Sequence, residues 1–233
     1  MSSDSHAEHD HDDHVHVHDE HEGHGHGHEH DQGLKGMVRY LQHAPKMWTS
    51  DVNSAVVGRI DPKSGETVMD IGAGIGAGTM IAAKSGCTVV AVEPTPYMRR
   101  VLGIRRLLAR ARDQVQIVDG TAEATTVAAG SIDAAWAVNT MHHWSSLEDG
   151  IAELARVLAP GGRVLLVDED FDDPGHPDFE TFGSKRKEEH DHHFHTVDPD
   201  AASAAMTAAG LTVTFAGHDD IGGSPSIVLE GSA

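Results

Sequence analysis

A glycine-rich stretch, Thr67–Thr79, constrains the fold of this chain more than any other feature. It reads TVMDIGAGIGAGT, so a short apolar and β-branched run containing one acid leads into four glycines that alternate with small or apolar residues. This pattern predicts a buried strand that turns tightly into a helix, the arrangement in which backbone amides closely approach a nucleotide. Glycine suits such a turn because a Cβ would restrict the dihedral angles and occupy the ligand's space. The stretch therefore predicts a nucleotide-binding domain and leaves the nucleotide open.

Strand-like and helix-like segments alternate along most of the chain. The predicted strands are 67–71, 88–92, 115–118, 131–138, 163–167, 211–215 and 226–230. The predicted helices are two short ones within Leu34–Ile60, separated by Pro45, and then 77–85, 97–112, 147–158 and 198–209. Alternation with short connections predicts a parallel α/β sheet that is covered by helices on both faces.

The acidity of the chain is concentrated at its start. The net charge is −20, from 37 acids and 17 bases, and residues 1–33 hold ten Asp or Glu, eleven His and no Lys or Arg. With almost no large apolar side chains, residues 1–33 are predicted to be a disordered tail, and residues 34–233 a single domain. Imidazoles interleaved with carboxylates suit zinc or nickel. The alternative is a solvated acidic tail that binds metal only loosely.

Composition excludes several classes of function. An acidic protein is repelled by phosphate backbones, which argues against a nucleic-acid partner. Cys87 is the only cysteine, so no internal disulfide can form, and a reducing compartment fits. No apolar run reaches membrane-spanning length and no secretory signal is visible, so a soluble cytoplasmic protein without a membrane partner is expected. No feature of the sequence indicates an oligomeric state.

A second His-rich segment lies in residues 169–197, which are charged, rich in Pro and without clear periodicity. An irregular insert of this length is usually functional or mobile. If its central part were helical, His190 with His193, or His192 with His195, could hold a divalent metal such as zinc or nickel. The alternative is a mobile polar loop.

The choice of nucleotide depends on residues around and after the glycines. Gly72, Gly74 and Ala77 satisfy the dinucleotide pattern G-x-G-x-x-G/A, and Glu93 follows Gly72 by 21 residues, which alone would suit NAD. Three further features favour another cofactor. Asp70 stands immediately before the first glycine, and Asp119–Glu123 follows the third strand. Ile132-Asp133 opens the fourth strand, and Arg156–Gly162 leads into the fifth.

With these motifs in this order, the chain resembles the class I S-adenosylmethionine-dependent methyltransferases of the small-molecule group. The resemblance covers roughly residues 45–168 and extends loosely to the end. It implies a Rossmann-like, seven-stranded, mostly parallel sheet whose last strand is antiparallel beside the fifth. It also implies methyl transfer from S-adenosyl-L-methionine to a small-molecule acceptor by in-line displacement.

The same resemblance implies which residues bind this cofactor. Asp70, Gly72, Gly74 and Gly76 match the motif that approaches its methionyl part, and Glu93 matches the acid that accepts hydrogen bonds from both ribose hydroxyls. The remaining residues match positions that contact the adenine, the ribose or the methionyl end: Pro94, Met98, Thr121, Ala122, Glu123 and Asn139.

The segment Asn139–Trp144 falls where the acceptor is expected to enter. His143 is the first candidate for a catalytic base, because a neutral imidazole accepts a proton near pH 7. Asp168 and Asp170 are further candidates. The alternative is that the two histidines only shape the pocket.

Two motifs of other methyltransferase groups are absent from the sequence. No Asn/Asp-Pro-Pro-Tyr motif occurs, which argues against methylation of a flipped base, and Val138-Asn139 carries no acid for a magnesium-dependent site.

The Arg-rich segment Tyr97–Arg112 is interpreted as a solvated face, or as the surface on which the acidic tail rests.

Two other functions stay open. The first alternative is a metal-buffering or metal-sensing protein that retains the fold as a ligand-binding module, and the second is an NAD-dependent oxidoreductase.

Overall fold

The structure, a computed structural model, describes residues 50–177, 179–182 and 196–233. The predictions for the acidic tail, for the two helices around Pro45 and for the metal-binding segment His190–His195 lie wholly or largely outside the described residues. The division into a tail and one domain stays a prediction.

The described strands form one sheet with the order β3-β2-β1-β4-β5-β7-β6. They are β1 Thr67–Ile71, β2 Thr88–Val92, β3 Val115–Val118, β4 Ile132–Val138, β5 Leu158–Glu169, β6 Thr212–Ile221 and β7 Ser224–Ser232. Pairing is parallel from β3 through to β5, and β7 is antiparallel to both β5 and β6. The predicted seven-stranded, mostly parallel α/β sheet is confirmed, including its antiparallel last strand.

Helices cover both faces of this sheet. They are α1 Asp51–Ile60, α2 Ala77–Ala82, α3 Pro96–Leu108, α4 Leu147–Val157, α5 Phe179–Phe182 and α6 Pro199–Ala208, with 3₁₀ turns at Ala83–Ser85 and Met141–His143. Short polar residues start three of them: the side chains of Ser50, Ser146 and Asp198 each accept a hydrogen bond from a first-turn backbone amide.

Neighbouring residues of β4 show how the two faces are filled. Ala135 packs in the layer under α4 and α6, which includes Leu154 and Met206, whereas Trp136 packs in the layer under α1, α2 and α3. This division follows from the alternation of side chains along a strand. Trp136 is completely buried, so it anchors the second layer.

Three element boundaries differ from the sequence prediction. Helix α3 ends at Leu108 rather than Arg112, because Arg110 takes a left-handed conformation with φ 56°. Strand β5 begins at Leu158 rather than Arg163, since Leu158 already pairs with Ile132 ahead of a register shift.

The β6–β7 hairpin is also longer than predicted. Gly222 and Gly223, with φ of 64° and 83°, form its two-residue turn, and they carry the strands through polar residues that do not favour strands. Among the described residues, no helix has the length and apolar character needed to cross a membrane.

Candidate functional site

The glycine-rich loop leaves β1 at the point where the chain order of the sheet reverses between β1 and β4, the usual ligand crevice of open α/β sheets. Gly72, Gly74 and Gly76 have φ of 65°, 54° and 83°. A Cβ on Gly72 would lie 2.5 Å from Thr140 Cγ2, and one on Gly76 would collide with Leu102. At Gly74 a Cβ would meet only Gly72 O and Met98 Sδ, each at 3.9 Å, which is ordinary van der Waals contact, so no neighbouring atom would clash with it.

Glu93 ties this loop to the end of β2. Its carboxylate is buried, Oε2 accepts a hydrogen bond from Gly74 N at 2.8 Å, and Oε1 accepts one from Thr95 N at 2.8 Å. Each carboxylate oxygen accepts more than one hydrogen bond, so both retain capacity for a ligand. Arg99 supports the arrangement, because it donates to the Glu93 carbonyl and to Asp119 at the end of β3.

Asp70 lies beneath the loop at the end of β1 and is almost fully buried. Thr79 Oγ1 donates to its Oδ2 at 2.6 Å. Burial raises the pKa of Asp70 to about 7; the Thr79 hydroxyl opposes this rise, and the Glu93 charge adds to it. The buried Trp136 Nε1 lies beside this carboxyl without a hydrogen bond of normal geometry and lowers the pKa least.

Residues Thr121, Ala122 and Glu123 form a tight turn beyond β3, closed by backbone hydrogen bonds of 3.3 Å between Thr121 and Ala124. Ala122 is buried and Thr121 is exposed. Glu123 Oε1 accepts from Ser145 N at 2.7 Å, from Ser145 Oγ at 3.0 Å and from Ser146 N at 3.3 Å. Burial would raise the pKa of Glu123, but the hydrogen bonds outweigh it and hold that pKa below its usual value. Its carboxylate therefore positions the loop that follows β4.

Asn139 ends β4 with φ 52°, a strained conformation for a residue other than glycine. Its backbone N–H donates to the Val167 carbonyl at 2.8 Å, whereas its buried Oδ1 has no hydrogen-bond partner among the described residues. A buried acceptor without a partner at a crevice is explained by a ligand that donates to it.

His142 and Asp168 form a buried pair at the carboxyl ends of β4 and β5. His142 Nδ1 lies 2.6 Å from Asp168 Oδ1, and the His142 backbone N–H donates to Asp168 Oδ2 at 2.8 Å. Both side chains are at most 6% exposed. Because Asp168 holds both the ring and the backbone, His142 has a fixed orientation.

His143, the predicted base, is exposed, and its ring centroid lies 4.0 Å from that of His142. Asp170, another candidate, is buried, and its Oδ2 lies 2.6 Å from His218 Nδ1. Within residues 50–177, 179–182 and 196–233, no group of three or more potential ligands could hold a metal ion. The two segments for which metal binding was predicted lie outside that range, apart from the edges of the second.

Comparison with known proteins agrees with this architecture. Residues 69–166 match the family described as "Methyltransferase domain". An uncharacterised methyltransferase of Mycobacterium tuberculosis is 39% identical over 106 residues, which are 46% of this chain and 41% of that protein. A demethylmenaquinone methyltransferase of Corynebacterium kroppenstedtii is 32% identical over 125 residues, which are 53% of this chain and 49% of that one. The chain thus spans less than half the length of the curated relatives it matches.

A solved structure matches over a longer range. The S-adenosylmethionine-dependent methyltransferase of Aquifex aeolicus superimposes with a TM-score of 0.63 at 16% identity, covering 84% of this chain and 97% of that one. The fold is that of the methyltransferases.

Within this methyltransferase fold, most of the predicted cofactor residues come together at one end of the sheet. Gly74, Glu93 and the buried Met98 meet directly, since a Cβ on Gly74 would lie 3.9 Å from Met98 Sδ. Asn139 lies at the neighbouring strand end, and Pro94 is exposed beside Glu93. The residues present therefore fit an adenosine-type cofactor: a glycine that no neighbouring atom crowds, a buried carboxylate with spare acceptor capacity, and a buried acceptor without a partner in the described part of the chain.

Sequence reasoning missed two residues of this methyltransferase fold that shape the site. From the sequence, His143 is the candidate base and His142 has no role of its own. Thr79, whose hydroxyl donates to Asp70, is placed in a helix without a prediction of that hydrogen bond. The spacing of Thr79, nine residues after Asp70, carries a usable signal, because it places a hydroxyl in the first turn of the helix that follows the loop.

Proposed function

We propose that this chain is an S-adenosylmethionine-dependent methyltransferase that acts on a small molecule. The observation that carries the proposal is the crevice at the ends of β1, β2 and β4. There a Cβ on Gly74 would clash with no neighbouring atom, Glu93 accepts a hydrogen bond from the Gly74 amide, and the Asn139 Oδ1 acceptor lacks a partner among the described residues.

The chain's own residues supply distinct parts of cofactor binding. The cofactor supplies an electrophilic methyl group on a sulfonium. Glu93 would accept hydrogen bonds from the ribose hydroxyls, and Gly72 and Gly74 allow the backbone to approach the methionyl part. Met98 and Ala122 supply apolar surface for the adenine ring, and Asn139 Oδ1 supplies an acceptor for a donor group of the ligand.

His142 is the proposed proton acceptor. When Asp168 accepts a hydrogen bond from Nδ1–H, the imidazole is held in the tautomer whose Nε2 carries no proton and can accept one. An acceptor hydroxyl or amine that loses its proton to Nε2 becomes a better nucleophile for in-line attack on the methyl carbon. Asp168 is then a positioning residue. The exposed His143, the base predicted from the sequence, remains the competing assignment.

A small-molecule acceptor is supported by charge and by the relatives. The net charge of −20 disfavours polyanionic nucleic acid. One relative is named for methylating demethylmenaquinone, a quinone rather than a macromolecule. The single cysteine, Cys87, is buried and unpaired, which fits a reducing, cytoplasmic setting.

The test has two steps. Calorimetry on the full chain should show saturable binding of S-adenosylmethionine and S-adenosylhomocysteine, and no binding of NAD. Metabolite extracts incubated with the protein and methyl-labelled S-adenosylmethionine should then yield a labelled product that is heavier by one methylene.

Variants assign the base once a product is found. His142→Ala should lower the rate by about 100-fold or more with unchanged cofactor affinity, while His143→Ala should stay within about threefold. Failure to bind either sulfur nucleotide would refute the proposed function. The reverse order of effects would assign the base to His143.

A further inference from the structure

Apart from the buried Arg105, the lysines and arginines of the described residues fall into two groups of five. Five cations form ion pairs with carboxylates: Arg59, Lys63, Arg99, Arg156 and Arg163. Another five have no carboxylate within ion-pair distance in the part of the chain that the structure describes: Lys84, Arg100, Arg106, Arg110 and Arg112. We call this second group the cationic surface: Lys84 and Arg110 line one cavity at the end of α3, Arg100 and Arg106 lie on α3, and Arg112 follows it.

A cavity of about 560 Å³ lies within the cationic surface, between α2 and the end of α3. Lys84 and Arg110 line it together with apolar side chains that include Met80 and Leu108. Gln114 also lines it, and its buried Oε1 lacks a hydrogen-bond partner among the described residues. This cavity is separate from the cofactor crevice, which opens at the carboxyl ends of the strands.

One side chain connects the cavity to the glycine-rich loop. Arg105 lines the cavity, and its Nη1 donates to the Ile75 carbonyl at 2.8 Å. Ile75 lies in the loop, between Gly74 and Gly76. The Arg105 side chain therefore joins the cavity to the cofactor loop.

The same helix exposes apolar surface. Ile104, Leu107 and Leu108 are 58%, 48% and 76% exposed, and they are the large apolar side chains that stand out as exposed among the described residues. Apolar side chains beside uncompensated positive charge are typical of a surface that binds a negatively charged partner with some apolar character.

We propose that the occupant of the cationic surface is the acidic N-terminal tail, residues 1–33, of the same chain. The tail carries ten carboxylates and no Lys or Arg, so its charge is complementary to the five unpaired cations. The imidazole rings between its carboxylates have apolar faces that can pack on the exposed Ile and Leu side chains.

Connectivity also favours the tail. Helix α1 begins at Asp51 and packs against α2, which lines the cavity. Residues 34–49 join the tail to the start of α1, which lies beside the Gly222 turn, and can span up to about 50 Å when extended. A tethered segment reaches a millimolar effective concentration, whereas the net charge of −20 opposes approach of another copy or of any polyanion.

Paramagnetic relaxation in the full chain tests the proposal. Gly25→Cys places a nitroxide in the tail, because Cys87 is buried and does not compete for the label. The reporter is the ε-methyl of Met80 in the cavity, and the reference is the ε-methyl of the buried Met206 under the other face of the sheet. At about 0.01 M salt the Met80 signal should lose most of its intensity and Met206 should not; at about 1 M salt the loss should disappear.

Matched variants separate contact from chance proximity. Lys84→Glu combined with Arg110→Asn removes cavity cations, and Asn tolerates the left-handed φ at position 110. This pair should restore the Met80 signal, whereas Arg156→Gln, which removes a cation from α4 on the other face of the sheet, should leave it quenched.

Three results would overturn the proposal. One is equal quenching of Met80 and Met206, and another is persistent quenching in the Lys84→Glu/Arg110→Asn variant. The third is quenching of Met80 in unlabelled protein mixed with spin-labelled protein, which would mean that the tail of a second copy occupies the surface.

Discussion

Replacement of Asp70 by Asn should stabilise the cofactor-free protein at neutral and alkaline pH. The Asp70 carboxyl is almost fully buried, and its pKa rises from 3.8 to about 7 chiefly through burial. At about 1.4 kcal/mol for each pKa unit, a rise of about three corresponds to ~4 kcal/mol of unfolding free energy that is lost when the group must ionise in the folded state. Asn removes that cost and retains an oxygen for the Thr79 hydroxyl. Since a neutral acceptor binds this hydroxyl less strongly than a carboxylate does, we expect a net gain of about 2 kcal/mol.

The sign of the pH dependence follows from where the proton is bound. Between pH 4 and pH 7 the folded state holds a proton on Asp70 that the unfolded state has already released. Stability contributed by this group is therefore complete below pH 4, falls as the pH rises to about 7, and is constant above that. Asn does not ionise, so the variant does not lose this stability as the pH rises. The excess of its unfolding free energy over that of wild type should therefore grow from pH 5 to pH 7 and then level off.

Urea unfolding followed by circular dichroism at pH 5, 6, 7 and 8 measures the effect. Thr79→Val is the matched control, because it removes the hydroxyl donor and leaves the carboxyl in place, and it should destabilise the protein. The reasoning is refuted if the Asn variant is less stable than wild type at pH 8, or if the difference between them does not change with pH.

Three further predictions concern the crevice. Gly76→Ala should lower the unfolding free energy by about 1–3 kcal/mol in urea, because its Cβ would collide with Leu102 at a positive φ. Gly74→Ala has the positive-φ strain without a collision, so it should destabilise the protein less, and it should weaken S-adenosylmethionine binding in calorimetry. Asp168→Asn should lower the methyl-transfer rate by about 100-fold or more and alter its pH profile while cofactor affinity stays constant. An amide has only one acceptor oxygen, so when that oxygen binds the His142 backbone N–H, the NH2 group faces Nδ1 and favours the other tautomer of His142. Glu93→Gln should raise the dissociation constant of S-adenosylmethionine by about 10–100-fold, since a charged acceptor is replaced by a neutral group.

The cofactor half of the site could be predicted from the sequence because its chemistry is local. The loop needs glycine wherever φ is positive, and Gly72, Gly74 and Gly76 show this directly in the sequence. Glu93 is found by its distance from the loop, since in the dinucleotide-binding strand order β2 ends beside β1. Such rules depend on short-range geometry, so one sequence is sufficient to apply them.

The polar hairpin and the end of α3 were harder to predict. Strand β6 runs through His218, Asp219 and Asp220, residues that do not favour strands. They are extended because they pair with β7 across the Gly222-Gly223 turn. Similarly, the arginines after Leu108 favour helix by propensity, and only the left-handed turn at Arg110 ends it.

The acceptor half of the site depends on one long-range contact. His142 and His143 are adjacent and chemically identical, so no periodicity or propensity distinguishes them. The 3₁₀ turn Met141–His143 directs one ring inward and the other outward, and Asp168, 26 residues later on the neighbouring strand, binds the inward ring. The prediction of a base at His143 therefore had the correct residue type and segment. The choice between the two histidines requires knowing that β4 and β5 lie side by side, because only that pairing brings a carboxylate to the Nδ1 of His142.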